Sequence, residues 1–249
     1  MRAMIFAAGR GTRLKPITDS RPKALVTIND LTLLEWVIRR LIKFDIKNII
    51  INVHHFADQI IDYLNSKNNF GINIQISMED ELLDTGGGLK KAAWFFENEE
   101  AFLVHNVDIL SDINLHQLYL SHLQSKAAAT LAVRTRKTQR YFLFDKNNQL
   151  CGWQNIKTKE IIWSDAAVKD ASPFSFCGIH IISKSFLDVL KNDKVFSIIP
   201  EYLRLAKSLT IAGYPTNDSN WIDLGRKENF EDVNKIFTND YFSKLLTTI

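Results

Sequence analysis

Residues 2–25 read RAMIFAAGRGTRLKPITDSRPKAL. The apolar run from Arg2 to Ala8 predicts a β-strand, and the glycines that follow it begin a loop that extends to Pro22. Glycines let backbone amides come close to phosphate oxygens, while arginines and lysines supply charged donors. This stretch therefore predicts a strand that leads into an anion-binding loop.

The loop differs from the two common nucleotide-binding motifs. It lacks the GxxxxGK[ST] pattern of a P-loop, and Leu14 stands where the dinucleotide fingerprint requires its third glycine. Both of those nucleotide folds are disfavoured.

Positive charge is concentrated in the same segment. The whole chain has a net charge of +3. Residues 1–23 nevertheless contain only Asp19 as an acid, against the basic residues Arg2, Arg10, Arg13, Lys15, Arg21 and Lys23. A cluster on one glycine-containing loop suits a compact polyanion such as a triphosphate better than a nucleic acid, so we expect no nucleic-acid partner. A solvated basic loop is the alternative explanation.

The composition is that of a folded protein. Of the 249 residues, 46% are hydrophobic and 24% are charged, close to the average for globular proteins. No window holds the roughly 18 apolar residues that a membrane span needs, and the apolar start is too short for a signal peptide. We expect a cytoplasmic protein without a membrane partner, in which Cys151 and Cys177 are buried thiols.

Helical and strand patterns alternate through the first half of the chain. Predicted strands span residues 2–8, 47–53, 72–77 and 101–105, and predicted helices span residues 31–44, 57–65 and 87–96. This alternation is typical of an α/β fold whose parallel sheet is covered by helices on both faces. Ligands bind such sheets at the carboxyl ends of the strands, so the loops after the strands are the candidate sites.

Short strand patterns prevail from residue 127 onward. They lie at residues 130–134, 140–145, 150–154 and 174–182, and helical patterns return at 185–190, 197–206, 226–237 and 239–246. Neither a Pro/Ser-rich linker nor an internal repeat separates the two halves. We expect a single domain over residues 1–249, with a nucleotide-binding half at about 1–125 and a second half at about 126–249.

The strings Gly9-Arg10-Gly11-Thr12-Arg13 and Pro22-Lys23 resemble the signature of the sugar-phosphate nucleotidyltransferases, or nucleoside-diphosphate-sugar pyrophosphorylases. The resemblance implies a Rossmann-like three-layer α/β nucleotidyltransferase fold, which is GT-A-like, with a mixed, mainly parallel central sheet. The resemblance covers nearly the whole chain. Within the family, the chain is most similar to short members that lack a C-terminal left-handed β-helix, such as those that act on N-acetylmuramate 1-phosphate or mannose 1-phosphate.

The resemblance also assigns roles to the loop. It implies that Arg13 holds the leaving pyrophosphate and that Lys23 contacts the phosphates at the reacting centre. The residues implied to wrap the nucleoside triphosphate are Ala8, Gly9, Gly11 and Thr12, together with Arg13 and Lys23.

A second glycine run, Asp84-Thr85-Gly86-Gly87-Gly88, precedes a predicted helix. Successive glycines leave backbone amides bare, and a helix N-terminus favours anions or the polar edge of a base. By resemblance, Thr85, Gly86 and Gly87 read the nucleotide base; a flexible helix start is the alternative. Glu81 stands where uridylyl and thymidylyl enzymes carry a glutamine, which leaves the choice of base open.

Two aspartates resemble the metal ligands of the family. Asn106-Val107-Asp108 resembles its Asn-Gly-Asp segment, with Val107 in place of the glycine, and Trp221-Ile222-Asp223-Leu224-Gly225 resembles its Trp-x-Asp-x-Gly segment. The resemblance implies that Asp108, which is also catalytic, and Asp223 bind Mg²⁺, and that Asn106 contacts the nucleotide. Two carboxylates plus substrate phosphates form a suitable set of oxygen ligands for this ion, although either aspartate alone is also typical of a turn or a helix cap.

The residues that would bind the sugar phosphate are less clearly indicated by the sequence. The family's Val-Glu-Lys-Pro segment, whose lysine binds the sugar phosphate, has no counterpart in this sequence. A cluster of Arg134, Arg136, Lys137 and Arg140 lies near that position and can take its place, but a charged strand edge explains it equally well. The candidate substrate-binding residues are Gly178, Trp221 and Arg140.

The resemblance implies a Mg²⁺-dependent transfer of a nucleoside monophosphate from a nucleoside triphosphate to a sugar 1-phosphate, giving a nucleoside-diphosphate sugar and pyrophosphate. The attacking phosphate is already an anion, so no general base is required, and we interpret His105 as a buried structural residue. A monomer or homodimer is expected. Two alternatives stay open: a cytidylyltransferase acting on phosphocholine or another alcohol phosphate, and a nucleotide-binding regulatory protein without turnover.

Overall fold

The computed structural model describes residues 1–191 and 193–246. In the first half, the elements are β1 (Ala3–Phe6), β2 (Thr27–Ile28), β3 (Leu31–Thr32), α1 (Leu33–Lys43), β4 (Asn48–Val53), α2 (Ala57–Ser66), β5 (Asn73–Met78), α3 (Asp84–Lys91), β6 (Ala101–Asn106), β7 (Ile109–Ser111) and α4 (Leu115–Ser125). In the second half they are β8 (Ala129–Arg134), β9 (Arg140–Phe144), β10 (Leu150–Asn155), β11 (Glu160–Trp163), β12 (Ser172–Ser183), α5 (Lys184–Leu187), α6 (Ile198–Leu205), β13 (Ile211–Pro215), β14 (Trp221–Asp223), α7 (Val233–Ile236) and α8 (Asn239–Leu246).

The centre of the main sheet is parallel. Strands β6, β1, β4 and β5 lie side by side in that order, and each neighbouring pair is parallel. Every residue of β1 is buried, as are residues 49–53 of β4, which is typical of strands covered on both faces. The carboxyl ends of these four strands therefore meet at one edge of the sheet.

Strand β12 joins the second half to this parallel core. Its residues 179–183 pair antiparallel with β6, and its residues 172–174 pair with β9, which leads on to β10 and β11. The pairing of β12 with β8 shifts register between Phe176 and His180, and Gly178 in this break has a φ of 74°. The sheet is thus mixed with a parallel core, as the sequence predicts.

Helices cover the sheet on both faces. Ile5 of β1 belongs to a core that also holds Trp36 of α1, whereas the neighbouring Met4 belongs to a second core with Tyr202 of α6. Successive side chains of a strand point to opposite faces, so one strand supplies both cores. The three-layer arrangement is confirmed.

Two helix predictions need correction, and one helix was not predicted. The helix predicted at 87–96 begins earlier, at Asp84, ends at Lys91 and is followed by a 3₁₀ turn over Ala93–Phe96. The helix predicted at 226–237 is a 3₁₀ segment, Lys227–Asp232, followed by the short α7. Helix α4 has no counterpart among the predicted elements.

Within residues 1–191 and 193–246, no helix is both long enough and apolar enough to cross a lipid bilayer. Cys151 and Cys177 are buried free thiols, as predicted. Burial raises the pKa of the Cys177 thiol to about 11, so this thiol stays protonated at neutral pH.

Candidate active site

A cleft of about 560 Å³ opens at the carboxyl ends of β1, β4, β5 and β6. We call it the main cleft; its lining residues are Phe6, Ala8, Gly9, Arg13, Lys23, Asn52, Glu79, Leu82, Asp84, Thr85, Asn106, Asp108 and Val195. The position agrees with the general location of ligand sites in α/β sheets.

The loop after β1 folds back on itself at Gly11. This glycine has a φ of 64°, and its carbonyl accepts a hydrogen bond of 2.9 Å from the Thr18 hydroxyl. An added Cβ would lie 2.9 Å from Thr18 Cγ2 and 3.0 Å from Lys23 Cβ, so the turn requires glycine both for its backbone angle and for its close packing. The fold-back brings Lys23 under the start of the loop.

The predicted loop residues occupy different places. Ala8, Gly9, Arg13 and Lys23 line the main cleft, and Gly11 shapes the turn beside it. Thr12 lies on an exposed 3₁₀ turn and is not part of the cleft lining.

Lys23 and Asp108, which both line the main cleft, form an ion pair. Lys23 Nζ lies 2.7 Å from Asp108 Oδ2, and the two side chains are only 15% and 9% exposed. Removing one partner of such a little-exposed pair leaves the other charge uncompensated, which costs free energy. The ion pair therefore favours the orientation in which the two side chains face each other.

Asp223 reaches Asp108 through a pairing between distant segments. Strand β14 pairs antiparallel with β7, which sets Asp223 opposite Ile109, and the Leu224 amide donates a 2.7 Å hydrogen bond to the Asp108 carbonyl. A three-residue strand from the end of the chain thus positions the second carboxylate.

Gly225 leaves the space in which these groups meet. An added Cβ there would lie 2.6 Å from Arg13 Nη2, 2.7 Å from Asp108 Oδ2 and 2.8 Å from Asp223 Oδ1. Two carboxylate oxygens therefore surround one small volume, which suits a hard cation with oxygen ligands. Among the described residues, no group of three or more His, Cys, Asp or Glu side chains could hold a metal ion. An ion held by two carboxylates takes its remaining ligands from water and phosphate oxygens.

The second glycine run packs against protein. Both the Gly86 and the Gly87 amides donate to the Phe196 carbonyl, at 2.9 and 3.2 Å. A Cβ on Gly86 would overlap the Phe196 ring, and one on Gly87 would overlap the Lys194 carbonyl oxygen. The expectation that these amides are bare is wrong, because residues 194–196 pass directly over them.

Thr85 is held in a similar way. Its hydroxyl accepts a 3.0 Å hydrogen bond from the Ile198 amide at the start of α6. Thr85 still lines the main cleft, whereas Gly86 and Gly87 do not.

Two buried polar residues on the cleft floor were missed from the sequence. Asn52 accepts a 2.8 Å hydrogen bond from the Ala7 amide and donates at 2.7 Å to Glu79. Glu79 also accepts from the Leu83 amide at 3.0 Å. The available signal was a polar residue inside the apolar run Ile49-Ile50-Ile51-Asn52-Val53. Glu81, singled out instead, is exposed, pairs with Lys194 and lies outside the main cleft.

Gly178 lies next to Asn106, and Trp221 contacts the residue that precedes Gly178. A Cβ on Gly178 would lie 2.9 Å from Asn106 Nδ2 and 2.8 Å from Ile109 Cγ1. The Trp221 indole donates a 2.9 Å hydrogen bond to the Cys177 carbonyl. Gly178 therefore lies beside a residue that lines the main cleft, but neither Gly178 nor Trp221 is part of that lining.

Arg140 lies elsewhere. It lines a separate cleft of about 310 Å³, which we call the second cleft, with Tyr141, Phe142, Trp153, Phe176, Ser197, Ile199 and Pro200. Arg134 and Arg136 instead lie over the Trp221 ring, with guanidinium carbons 5.6 and 4.7 Å from its centre.

His105, which precedes Asn106 of the main cleft, is fully buried. Its Nε2 lies 3.1 Å from Arg40 Nη1, and burial together with the Arg40 charge lowers its pKa to about 3. The imidazole is neutral at physiological pH and faces the protein interior, in agreement with a structural role.

Comparison with known protein families identifies the family of this chain. Residues 2–149 match the family described as nucleotidyl transferase. The chain belongs to this family. The resemblance inferred from the loop motifs is thereby confirmed.

Characterised proteins similar to this nucleotidyltransferase cover almost all of it. The D-glycero-alpha-D-manno-heptose 1-phosphate guanylyltransferase of Campylobacter jejuni is 31% identical over 232 residues, which span 92% of this chain and 97% of that protein. The N-acetylmuramate alpha-1-phosphate uridylyltransferase of Caulobacter vibrioides is 28% identical over 233 residues, or 90% and 91% of the two chains.

Solved structures support the fold of the nucleotidyltransferase. HddC from Yersinia pseudotuberculosis, complexed with GMP-PN, superposes with a TM-score of 0.73 at 22% identity and covers 94% of this chain and 98% of its own. A UDP-glucose pyrophosphorylase from Acinetobacter baumanii gives a TM-score of 0.75 at 19% identity and covers 99% and 98%.

Val107 does not obstruct the cleft of the nucleotidyltransferase. The side chain is 1% exposed and packs in the core with Ile5, and its amide donates to the Phe6 carbonyl at 3.2 Å. The departure from the family's glycine therefore leaves the approach to Asp108 free, so Val107 gives no support to a regulatory protein without turnover.

Proposed function

We propose that this nucleotidyltransferase transfers a nucleoside monophosphate from a nucleoside triphosphate to a sugar 1-phosphate and releases pyrophosphate. The observation that carries the proposal is the convergence of Arg13, Lys23, Asp108 and Asp223 at one end of the main cleft. Similar proteins that act on sugar 1-phosphates span 90% or more of this chain, which supports the same substrate class here.

The cations address the main barrier to this reaction. Two polyanionic substrates repel each other, so positioned positive charges lower the barrier more than a proton transfer does. Arg13 approaches the carboxylates from the glycine loop and suits the leaving pyrophosphate, and Lys23, anchored on Asp108, suits the phosphates at the reacting centre. His105 is buried and neutral, which fits an acceptor that is already ionised.

Asp108 and Asp223 would hold Mg²⁺. Both are carboxylates, and Asp108 Oδ2 and Asp223 Oδ1 each lie within 2.8 Å of one point beside Gly225. Bound by these two oxygens, the ion would neutralise charge that develops on the phosphates. Lys23 then keeps Asp108 oriented, and the backbone bond from Leu224 keeps the two aspartate segments in register.

We assign the two substrates to the two halves of the chain. In this proposal, residues 1–125 supply the nucleotide side through the loop after β1 and through Asn106, and residues 126–249 supply the sugar-phosphate side through Gly178 and Trp221. The similar enzymes include a uridylyltransferase and a guanylyltransferase, so UTP and GTP are the proposed donors.

The phosphocholine alternative is disfavoured by charge. The aromatic rings of Phe142, Trp153 and Phe176 in the second cleft suit a quaternary ammonium group. Arg140 lines the same cleft, however, and its positive charge would repel that group.

The test is a substrate panel. The purified protein is incubated with each of five nucleoside triphosphates, a set of sugar 1-phosphates or phosphocholine, Mg²⁺ and pyrophosphatase, and phosphate is measured above single-substrate controls. We expect release with UTP or GTP and one sugar 1-phosphate. Absence of release with every pair would refute the proposal.

Two variants test the carboxylates. Asp108→Asn and Asp223→Asn keep the shape and one acceptor oxygen but lose the charge, and we expect each to reduce turnover by about 100-fold or more. Asp45→Asn, which removes an exposed carboxylate before β4 and outside the main cleft, is the matched control and should keep turnover. Full activity of both aspartate variants would contradict the metal assignment.

A further inference from the structure

The acceptor side of the site has four candidate cations in one short segment, and the structure separates them. Arg140 lines the second cleft and Lys137 is exposed. Arg134 donates a 3.3 Å hydrogen bond to the Ser219 carbonyl. Arg136 differs from these because its guanidinium carbon lies 4.7 Å from the centre of the Trp221 ring, closer than that of Arg134.

The Arg136 side chain carries an unused donor. Its Nε is buried and has no hydrogen-bond partner among the described residues. A buried donor without a partner costs free energy unless a ligand or water satisfies it. Burial lowers the pKa of Arg136, and the Asp223 carboxylate opposes that effect, which places Asp223 within electrostatic reach. An arginine guanidinium stays charged in proteins.

The backbone around Arg136 is fastened on both sides. The Tyr141 hydroxyl donates to the Arg136 carbonyl at 3.1 Å and accepts from the Thr138 amide at 2.9 Å. The Thr135 amide donates to Asn217 at 2.8 Å. Because Tyr141 also lines the second cleft, residues 135–139 are held between that cleft and the segment that leads into β14.

Arg13 and Arg136 approach Asp223 from opposite ends of β14. Trp221 and Asp223 are two residues apart on a strand, so their side chains share one face. Arg136 lies at Trp221, before Asp223 in the chain, and Arg13 lies at Gly225, after it. An in-line transfer needs charge stabilisation for the incoming group on one side of the reacting phosphorus and for the leaving group on the other.

We propose that Arg136, supported by Trp221, binds the phosphate of the incoming sugar 1-phosphate. The inference rests on the proposed function and identifies the residue that takes the place of the missing lysine. An oxygen of the acceptor phosphate forms a bond to the α-phosphorus of the triphosphate, and the bond from that phosphorus to the bridging oxygen breaks. Its electron pair leaves with pyrophosphate. Arg136 holds the attacking phosphate through the planar fork that suits phosphate oxygens.

The experiment measures the KM of each substrate separately. Arg136→Ala should raise the KM of the sugar 1-phosphate by about tenfold or more and leave the KM of the nucleoside triphosphate within about twofold. Arg136→Lys keeps the charge without the fork and should recover part of the loss. Lys137→Ala removes one charge from the same segment at an exposed position and is the matched control, with both KM values unchanged.

The outcomes separate the two proposals. If the wild-type protein releases no pyrophosphate with any pair, the proposed function fails. If the wild-type protein is active and Arg136→Ala keeps the acceptor KM, or raises both KM values equally, the role of Arg136 is refuted. Thermal unfolding of each variant checks the fold, and if Arg136→Ala does not fold, the acceptor KM of Arg136→Lys decides, with wild-type values for both substrates counting against the inference.

Discussion

The two glycine runs both lie at the carboxyl edge of the sheet, but they have different structural roles. In the first, a Cβ added to Gly9 meets no atom within 4 Å. In the second, a Cβ on Gly87 would overlap the Lys194 backbone, and the Gly87 amide already donates to Phe196. The first run leaves room beside a cleft, whereas the second leaves room for another segment of the chain.

The difference shows that a glycine run by itself does not identify a ligand site. Both runs follow a strand and both precede helical residues, so sequence alone treats them alike. What distinguishes them is the surrounding charge: Arg13 and Lys23 line the cleft beside Gly9. The second run is packed beneath residues 194–196.

The largest expected effect is at Gly87. Gly87→Ala should lower the free energy of unfolding by about 3 kcal/mol, because the added methyl group meets a backbone oxygen that cannot move aside alone. Urea unfolding measures the change. An unfolding free energy equal to that of the wild type would show that residues 194–196 are not packed against this glycine.

Gly9→Ala is the matched substitution in the first run. Its methyl group enters open space at the main cleft, so unfolding should be unchanged while kcat/KM for the nucleoside triphosphate falls about tenfold. Steady-state kinetics and urea unfolding are compared on the same preparation. A variant with wild-type kinetics and reduced stability would reverse the contrast between the two runs.

The smallest expected effect is at Thr85. Thr85→Val removes the acceptor for the Ile198 amide and should lower the free energy of unfolding by about 1 kcal/mol. Because that hydroxyl is already engaged, the KM of the nucleoside triphosphate should stay within about twofold. Thr158→Val, at an exposed turn, provides the control for stability. A selective rise in the nucleotide KM would instead show that Thr85 contacts the base.

Local chemistry explains what could be predicted from the sequence. Gly11, Arg13 and Lys23 lie within one loop, so their composition and spacing already carry the signal of an anion site. Asp223 joins them only because β14 pairs with β7, a three-residue contact between segments about 110 residues apart. Such short strands have no periodicity, and the sequence points to Asp223 only through the family motif.

Helix α4 escaped prediction for a different reason. Leu120 and Leu123 are 46% and 44% exposed, whereas His122 on the same helix is buried. Its apolar residues therefore do not form one stripe, which is the feature that a periodicity search detects. The buried His122 is satisfied by Thr130 and Ser183, at 2.9 and 2.8 Å, contacts that only the tertiary structure supplies.

The segment that packs over the second glycine run also forms a wall between the main cleft and the second cleft. Val195 lines the main cleft, and Ser197, two residues later, lines the second cleft. A ligand that displaces this wall from one side changes the shape of the cavity on the other. Thermodynamic linkage then requires the influence to be mutual: whatever factor one occupant imposes on the affinity of the other, it receives in return.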